Sequence, residues 1–290
     1  MPDSTLTHLR VGGVPEHFNL PWHLADQRGQ FQRAGIELEW RDCPGGTGEM
    51  RRLIETDELD LVVALTEGAA AAIADLCPMS ILQWYVRTPL IWGVHVPPAS
   101  QLNNIEQLQG KRFAISRPGS GSHLMAAVMA EQQQWPTNEL EFVTVGNLDG
   151  AVEAFAQNRA DGFLWERYTT QPLVDHGHMR RIGECPTPWP AFVLCGHHKV
   201  LEQHPDAIAA LQTAIINACN ALQDEPDLAG LIARRYGLEA EQVEHWLTRT
   251  RWASDQAIEP GALDEVIDSL RRIGLINRAI TGRDCLACPT

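Results

Sequence analysis

The sequence predicts an α/β protein of two lobes followed by a helical C-terminal segment. Apolar runs of strand length, such as "LRVGGV", "LDLVVAL" and "AFVLC", alternate with helix-like segments up to about residue 200. Such alternation is typical of largely parallel sheets covered by helices. Beyond that point, segments such as "DAIAALQTAIINACNAL" carry apolar residues every three to four positions, which predicts helices.

Composition narrows the classes of function. The chain has 290 residues with 44% hydrophobic content, enough to bury one large core or two cores of ordinary size. The net charge is -14, and no run of Lys or Arg could follow a phosphate backbone, so nucleic acid is excluded as a partner. The apolar runs are far shorter than the roughly 20 residues needed to cross a bilayer, and we expect no membrane insertion.

The beginning of the chain and its cysteines bear on the compartment. "MPDSTLTHLRVGGVP" lacks a basic segment followed by an apolar one, so we expect a cytoplasmic protein, or a periplasmic one if a leader had been removed. Seven cysteines are scattered along the chain, an odd number in a protein large enough to fold without disulfides. This pattern favours reduced thiols.

A weak internal repeat supports the two lobes. Gly46 to Asp60 aligns without gaps with Asn147 to Asp161, and the apolar positions coincide. The proline-bearing strands "RTPLIWGVHVPPAS" and "CPTPWPAFVLCG" suit crossings between lobes, since proline resists continued helix or central ladder. We therefore predict one lobe from residues 1-92 and 191-290, and a second from 93-190.

Four strand-to-helix corners are rich in small or polar residues: "GGVPEHFN", "CPGGTGEM", "LTEGA" and "SRPGSGSH". Helix N-termini offer unpaired N–H groups and a positive dipole end, so such corners can bind an anionic group; the alternative is ordinary capped turns. Trp165 can offer a stacking surface or belong to the core, and the glutamates can meet a ligand cation or complement a helix dipole. The predicted ligand-binding residues are Glu16, His17, Asn19, Gly45, Gly46, Thr47, Thr66, Glu67, Ser120, Gly121, Ser122, His123, Trp165 and Glu166.

No complete catalytic, metal or cofactor motif is present. Ser120 and Ser122 lack the flanking glycines of a nucleophile elbow, and no Gly-Lys-Ser/Thr follows to make a P-loop. A capping role for one of these serines fits better. The "HGH", "HH" and "CLAC" pairs stand alone, without a second pair at zinc-ligand spacing. We expect no metal and no cofactor.

Taken together, "GGVPEHFNLPWHLADQRGQF", "GGTGEM", "ALTEG", "LIWGVHV", "SRPGSGSHLM" and "CPTPWP" resemble the type II periplasmic-binding-protein fold. The resemblance is closest to the branch of nitrate-, sulfonate- and taurine-type receptors and fungal thiamine-pyrimidine synthases, and within it to a cytosolic, leaderless subgroup of unassigned ligand. It implies Venus-flytrap closure, with ligand contacts from "PEHFN", "GGTG", "LTEG", "GSGSH" and "LWE". The synthases carry contiguous cysteines at an iron site, which "CPTPWPAFVLC" lacks.

The expected function is that of a small-molecule binding protein of the ABC-transporter substrate-binding type. It would close two lobes on a small anionic or planar heteroaromatic solute, such as a thiamine-pyrimidine-like or sulfonate-like compound, and serve an ABC permease or a regulatory partner. The alternative is an enzyme of thiamine-precursor type, in which His17, His123 or Glu166 transfers protons.

Overall fold

A computed structural model describes residues 6–136 and 139–287, and the chain divides into two compact units. The first unit comprises Met1–Thr88, Trp189–Asp268 and Ile276–Thr290. The second comprises Pro89–Pro188 and Ser269–Leu275.

The described residues form strands and helices that alternate through the first two thirds of the chain. The strands are β1 (Thr7–Gly13), β2 (Ile36–Asp42), β3 (Leu61–Leu65), β4 (Met79–Val96), β5 (Arg112–Ile115), β6 (Glu141–Thr144), β7 (Gly162–Glu166) and β8 (Arg180–His197). The helices are α1 (Leu20–Gln27), α2 (Gln30–Arg33), α3 (Gly46–Glu55), α4 (Thr66–Ala74), α5 (Gly121–Gln132), α6 (Leu148–Ala156), α7 (Gln171–Asp175), α8 (His198–Gln203), α9 (Pro205–Ala221), α10 (Leu228–Tyr236), α11 (Ala240–Arg249), α12 (Pro260–Arg272) and α13 (Gly282–Cys285).

The first unit is built on a sheet with the strand order β2-β1-β3-β8-β4. β1 pairs in parallel with β2 and β3, and β3 pairs antiparallel with β8. The inward side chains Leu9, Val11, Leu61 and Val63 are buried, as expected for strands covered by helices. Because β1, β2 and β3 run in the same direction, their carboxyl ends, and the loops that follow, lie at one edge of this sheet.

The second unit repeats this plan with the strand order β4-β7-β5-β6. β5 pairs in parallel with β6 and β7, and β7 pairs antiparallel with β4. Phe163 of β7 and Phe155 of α6 lie in a buried apolar cluster with Ala114, Ala151 and Ala154. The predicted α/β fold class is therefore confirmed within each unit.

Two long strands correct the segmentation expected from the sequence. The apolar runs "ILQWYV" and "LIWGVHV" each have the length of one ordinary strand and predict two strands, but they form the single strand β4 of 18 residues. β8 is equally long and contains the prolines of "CPTPWP". Each long strand has residues in both units, and the division falls beside Pro89 in β4 and Pro188 in β8. A proline cannot donate a ladder hydrogen bond, so local pattern suggested a break where the strand continues.

The internal repeat is confirmed by a pair of matching ion-pair contacts. In the first unit Arg10 of β1 binds Asp60 with its side chain at 2.7 and 3.0 Å and with its backbone N–H at 2.8 Å. In the second unit Arg112 of β5 binds Asp161 in the same way, at 2.9, 3.0 and 3.1 Å. We call each arginine–aspartate pair a latch, since it joins a strand to the turn that precedes the neighbouring strand.

The turns that carry the two latches also match in backbone conformation. Asp57 and Asn158 stand three residues before the latch aspartates, and both have left-handed φ angles, 57° and 55°. Asp and Asn tolerate this region better than other non-glycine residues. The aligned segments of the sequence therefore form the same helix, turn and strand in each unit.

The predicted helical C-terminal segment is confirmed as α8 to α13. Among the described residues, no helix is both long and apolar enough to span a bilayer.

Candidate functional site

In the first unit, the loop after β1 carries Glu16, His17 and Asn19. Glu16 is partly exposed, whereas His17 and Asn19 are buried. The Asn19 side-chain amide donates to the carbonyl of Val14 at 2.8 Å, which fixes the loop close to the end of β1. Its Oδ1 accepts no hydrogen bond from the described residues. Asn19 therefore keeps acceptor capacity at the carboxyl edge of the sheet.

His17 lies in an aromatic group that the sequence did not reveal. Its ring stacks on Phe18 at 4.7 Å and meets the edge of Trp246 from α11 at 4.3 Å. Trp252 and Tyr85 both donate to the carbonyl of Phe18, each at 2.8 Å. Burial lowers the pKa of His17 to about 3, so the imidazole is neutral near pH 7.

The start of α3 presents Gly45, Gly46 and Thr47. Gly46 is the first helical residue and has a φ of 65°, which favours glycine. The backbone N–H of Gly45 donates to Glu49 at 2.7 Å, and Thr47 Oγ1 accepts from the backbone N–H of Leu65 at 3.3 Å. The Thr47 hydroxyl thus joins this corner to the end of β3.

The start of α4 is fixed to β8 by two consecutive side chains. The hydroxyl of Thr66 donates to the carbonyl of Pro190 at 2.6 Å, and the indole N–H of Trp189 donates to Glu67 Oε2 at 2.7 Å. Both Thr66 and Glu67 are buried, and burial raises the pKa of Glu67 to about 7. The Glu67 carboxyl group can therefore be either neutral or charged near neutral pH.

α4 also packs directly against the start of α3. A Cβ placed on Gly68 would stand 2.6 Å from the Thr47 methyl carbon, so only glycine allows this approach. The structure therefore brings three predicted residues, Thr47, Thr66 and Glu67, to one edge of the first unit's sheet, together with Trp189.

In the second unit, the predicted serines cap the start of α5. Ser120 is the N-cap, and its Oγ accepts from the backbone N–H of His123 at 3.4 Å. Ser122 Oγ accepts from the backbone N–H of Ser116 at 2.9 Å and lies 3.1 Å from Ser120 Oγ. The capping role expected for this corner is confirmed, with Gly121 as the first residue of the helix.

His123 has a fixed orientation in the same corner. Its Nδ1 accepts from the backbone N–H of Gly119 at 3.0 Å, and its ring meets the edge of Phe142 at 4.5 Å. Partial burial lowers its pKa. An Nδ1 that accepts places the proton of the neutral ring on Nε2, so His123 presents a donor away from the loop.

Trp165 and Glu166 lie at the end of β7. Trp165 stacks on Phe163 at 5.4 Å and packs against the apolar cluster of the second unit. Glu166 Oε2 accepts from the backbone N–H of Thr169 at 2.6 Å, and burial raises the pKa of this carboxyl group. Both side chains thus have structural partners within the unit in addition to the ligand contacts predicted for them.

The cysteines described by the structure are all buried and free. Burial raises the pKa of Cys77 to about 11 and that of Cys185 to about 12, so these thiols stay protonated near neutral pH. Within the described ranges, no group of three or more His, Cys, Asp or Glu side chains could hold a metal ion. Cys288 of the "CLAC" pair lies outside the described residues.

Comparison with known proteins identifies the fold. Residues 92–185 match the family model described as Ca3427-like PBP. The CA3427 gene product of Candida albicans, which exhibits the periplasmic binding protein fold, is 24% identical over 95% of this chain and 92% of its own, with a TM-score of 0.87. No curated protein matches the sequence significantly.

Two further solved structures are similar over nearly the whole chain. The alkanesulfonate-binding protein SsuA from Xanthomonas axonopodis pv. citri is 17% identical, with 97% of this chain and 98% of its own covered and a TM-score of 0.81. The nitrate-binding protein NrtA from Synechocystis PCC 6803 is 15% identical, with 93% and 82% covered and a TM-score of 0.71. The chain therefore has the α/β fold of the periplasmic binding proteins, and its residues 92–185 match the Ca3427-like family of that fold.

Proposed function

We propose that the chain is a small-molecule binding protein of the substrate-binding type found in ABC import systems. Its fold is shared with proteins described as binding alkanesulfonates and nitrate, which supports a solute-binding role. Fold alone does not assign a function, so the proposal also needs a site on this chain.

The observation that carries the proposal is the group at the carboxyl edge of the first unit's sheet. Asn19 lies there at the end of a short 3-10 helix, His17–Asn19, and Thr47 and Glu67 lie at the starts of α3 and α4; each follows one of three parallel strands. Ligands of open α/β sheets bind beyond the carboxyl ends of the strands. Asn19 Oδ1 and Glu67 Oε1 are shielded from solvent and accept no hydrogen bond from the described residues. Buried acceptors without a hydrogen bond are rare unless a ligand or a water molecule donates to them.

The proposed ligand is a small anion or a planar heteroaromatic compound, sulfonate-like or thiamine-pyrimidine-like. Backbone N–H groups at the helix starts would suit an anion. The permease or regulatory partner and the cytoplasmic location stay predictions from the sequence. The free cysteines of the described residues support a reducing compartment.

Native mass spectrometry of freshly purified protein tests this function. A defined small-molecule adduct that raises the melting temperature when added back in excess is the expected result. Scattering with and without that compound tests the closure predicted from the sequence. Consumption of the compound during incubation would favour the enzyme alternative. A protein that carries no adduct and is stabilised by no member of a broad solute panel would refute solute binding.

A further inference from the structure

The Glu67 carboxyl group is fixed through one of its two oxygens. Oε2 accepts a hydrogen bond from the indole N–H of Trp189 at 2.7 Å. The neighbouring Thr66 hydroxyl donates to the carbonyl of Pro190, the next residue of β8, at 2.6 Å. Trp189 is itself buried in the strand. Two adjacent hydrogen bonds therefore hold the corner, and the carboxyl group cannot turn away without breaking a buried bond.

The other oxygen, Oε1, is in a different situation. The Glu67 side chain is 2% exposed, and Oε1 accepts no hydrogen bond from the described residues. An indole N–H supplies a single proton, which Oε2 already receives. A buried acceptor without a donor is destabilising, so a group that supplies a donor to Oε1 would be favoured.

The surroundings of Glu67 also limit which ligand group can approach it. In the described part of the chain, no ion pair neutralises this carboxyl group; its one side-chain partner is the Trp189 indole. When Glu67 is ionised, above its pKa of about 7, a bare oxyanion placed against Oε1 would bring acceptor against acceptor. An N–H group would complete the carboxylate, and a protonated amine would add charge attraction at a site shielded from water.

We propose that Glu67 selects solutes that carry an N–H donor, either a protonated amine or an amino-substituted heteroaromatic ring, over bare oxyanions. This inference rests on the proposed solute-binding function and specifies its ligand class. It would distinguish this chain from two of its structural neighbours, which are described as an alkanesulfonate-binding and a nitrate-binding protein.

The test uses two pairs of probes that differ by one amino group: taurine against ethanesulfonate, and 4-aminopyrimidine against 4-methylpyrimidine. Calorimetric titration of the wild-type protein at pH 8, where Glu67 is mostly ionised, should show at least about tenfold tighter binding of the amino member in one pair, the effect of one hydrogen bond to a charged group.

Two variants separate ligand selection from a structural role. In Glu67→Gln, the amide oxygen accepts the Trp189 indole N–H, so the amide NH2 group takes the position of Oε1. Because an acceptor is replaced by a donor, the preference for the amino member should disappear or invert while the fold is retained. The matched control Glu241→Gln removes one negative charge at an exposed position of α11, away from the site, and should keep both the stability and the preference.

Each result decides the inference. A wild-type protein that binds both members of each pair equally, or prefers ethanesulfonate, overturns the inference but leaves solute binding intact. A Glu67→Gln protein with native circular dichroism and an unchanged preference also overturns it. If the protein binds none of the four probes, the proposed ligand class is overturned. The adduct and panel experiments decide the solute-binding function itself.

Discussion

Replacing Glu67 by glutamine should remove a pH-dependent loss of stability. The pKa of Glu67 is raised from 4.5 to about 7, mainly by burial. Below about pH 4.5 the group is protonated in both the folded and unfolded states, and above about pH 7 it is ionised in both. Folding is therefore penalised increasingly as the pH rises through this window.

The size of the effect follows from the shift. A difference of 2.5 between 4.5 and about 7 corresponds to about 3 kcal/mol at 1.36 kcal/mol per unit. About 2 kcal/mol of this falls between pH 5.5 and 8, a range that avoids the sequence pI near 5.2. Glutamine mimics the protonated acid and keeps the hydrogen bond from Trp189. The stability of the Glu67→Gln protein should therefore not include the loss that ionisation of Glu67 causes as the pH rises.

Urea unfolding followed by circular dichroism at several pH values provides the assay. The free energy of unfolding of the wild type minus that of Glu67→Gln should fall by about 2 kcal/mol from pH 5.5 to 8. Glu241→Gln, at an exposed position of α11, controls for the loss of one negative charge. A wild-type minus Glu67→Gln difference that stays constant over this range would refute the reasoning.

Three further substitutions test the framework around the site. Asp60→Asn should lower the free energy of unfolding by about 1–3 kcal/mol, because Asp60 loses charged hydrogen bonds from Arg10. Burial raises the pKa of Asp60, but these hydrogen bonds outweigh it and the pKa is lowered, so the loss should shrink as acid protonates the wild-type aspartate. A loss that does not change with pH would contradict this. Ser122→Ala should cost about 1–3 kcal/mol in thermal or urea unfolding, because its Oγ accepts a buried backbone N–H; unchanged stability would contradict this role. Gly68→Ala should lower the free energy of unfolding by about 1–3 kcal/mol, because the new methyl group clashes with Thr47. In the control Gly261→Ala the new methyl group meets nothing within 4 Å, so this protein should be as stable as the wild type or more stable. Equal effects of the two substitutions would contradict the packing argument.

Much of the fold followed from local pattern. Alternating apolar runs predicted the strands around helices, and the spacing after residue 200 predicted the helical tail. The aligned segments ending at Asp60 and Asp161 predicted the repeat, because the same helix-turn-strand unit needs the same buried positions. The proline-bearing segments were predicted to be strands, but the continuous 18-residue lengths of β4 and β8 were missed, since a proline removes one donor without ending a strand when the neighbouring residues remain extended.

The site was less predictable because its contacts join distant parts of the chain. Glu67 was expected at a helix start, but its bond to Trp189 spans 122 positions and depends on β3 pairing with β8. The Trp252 bond to Phe18 spans 234 positions. Local periodicity indicates which residues are buried, while the identity of their neighbours depends on strand order.

The two latches also define a search pattern. An arginine on one strand is followed 50 residues later in the first unit, and 49 later in the second, by an aspartate whose third preceding residue is Asp57 or Asn158 in a left-handed turn. The pattern needs only an arginine, a spacing of about fifty residues, and Asp/Asn-x-x-Asp. Sequences too divergent for overall alignment can be scanned for it twice in succession, so that a duplicated α/β unit is sought from three residues in each unit and their spacing.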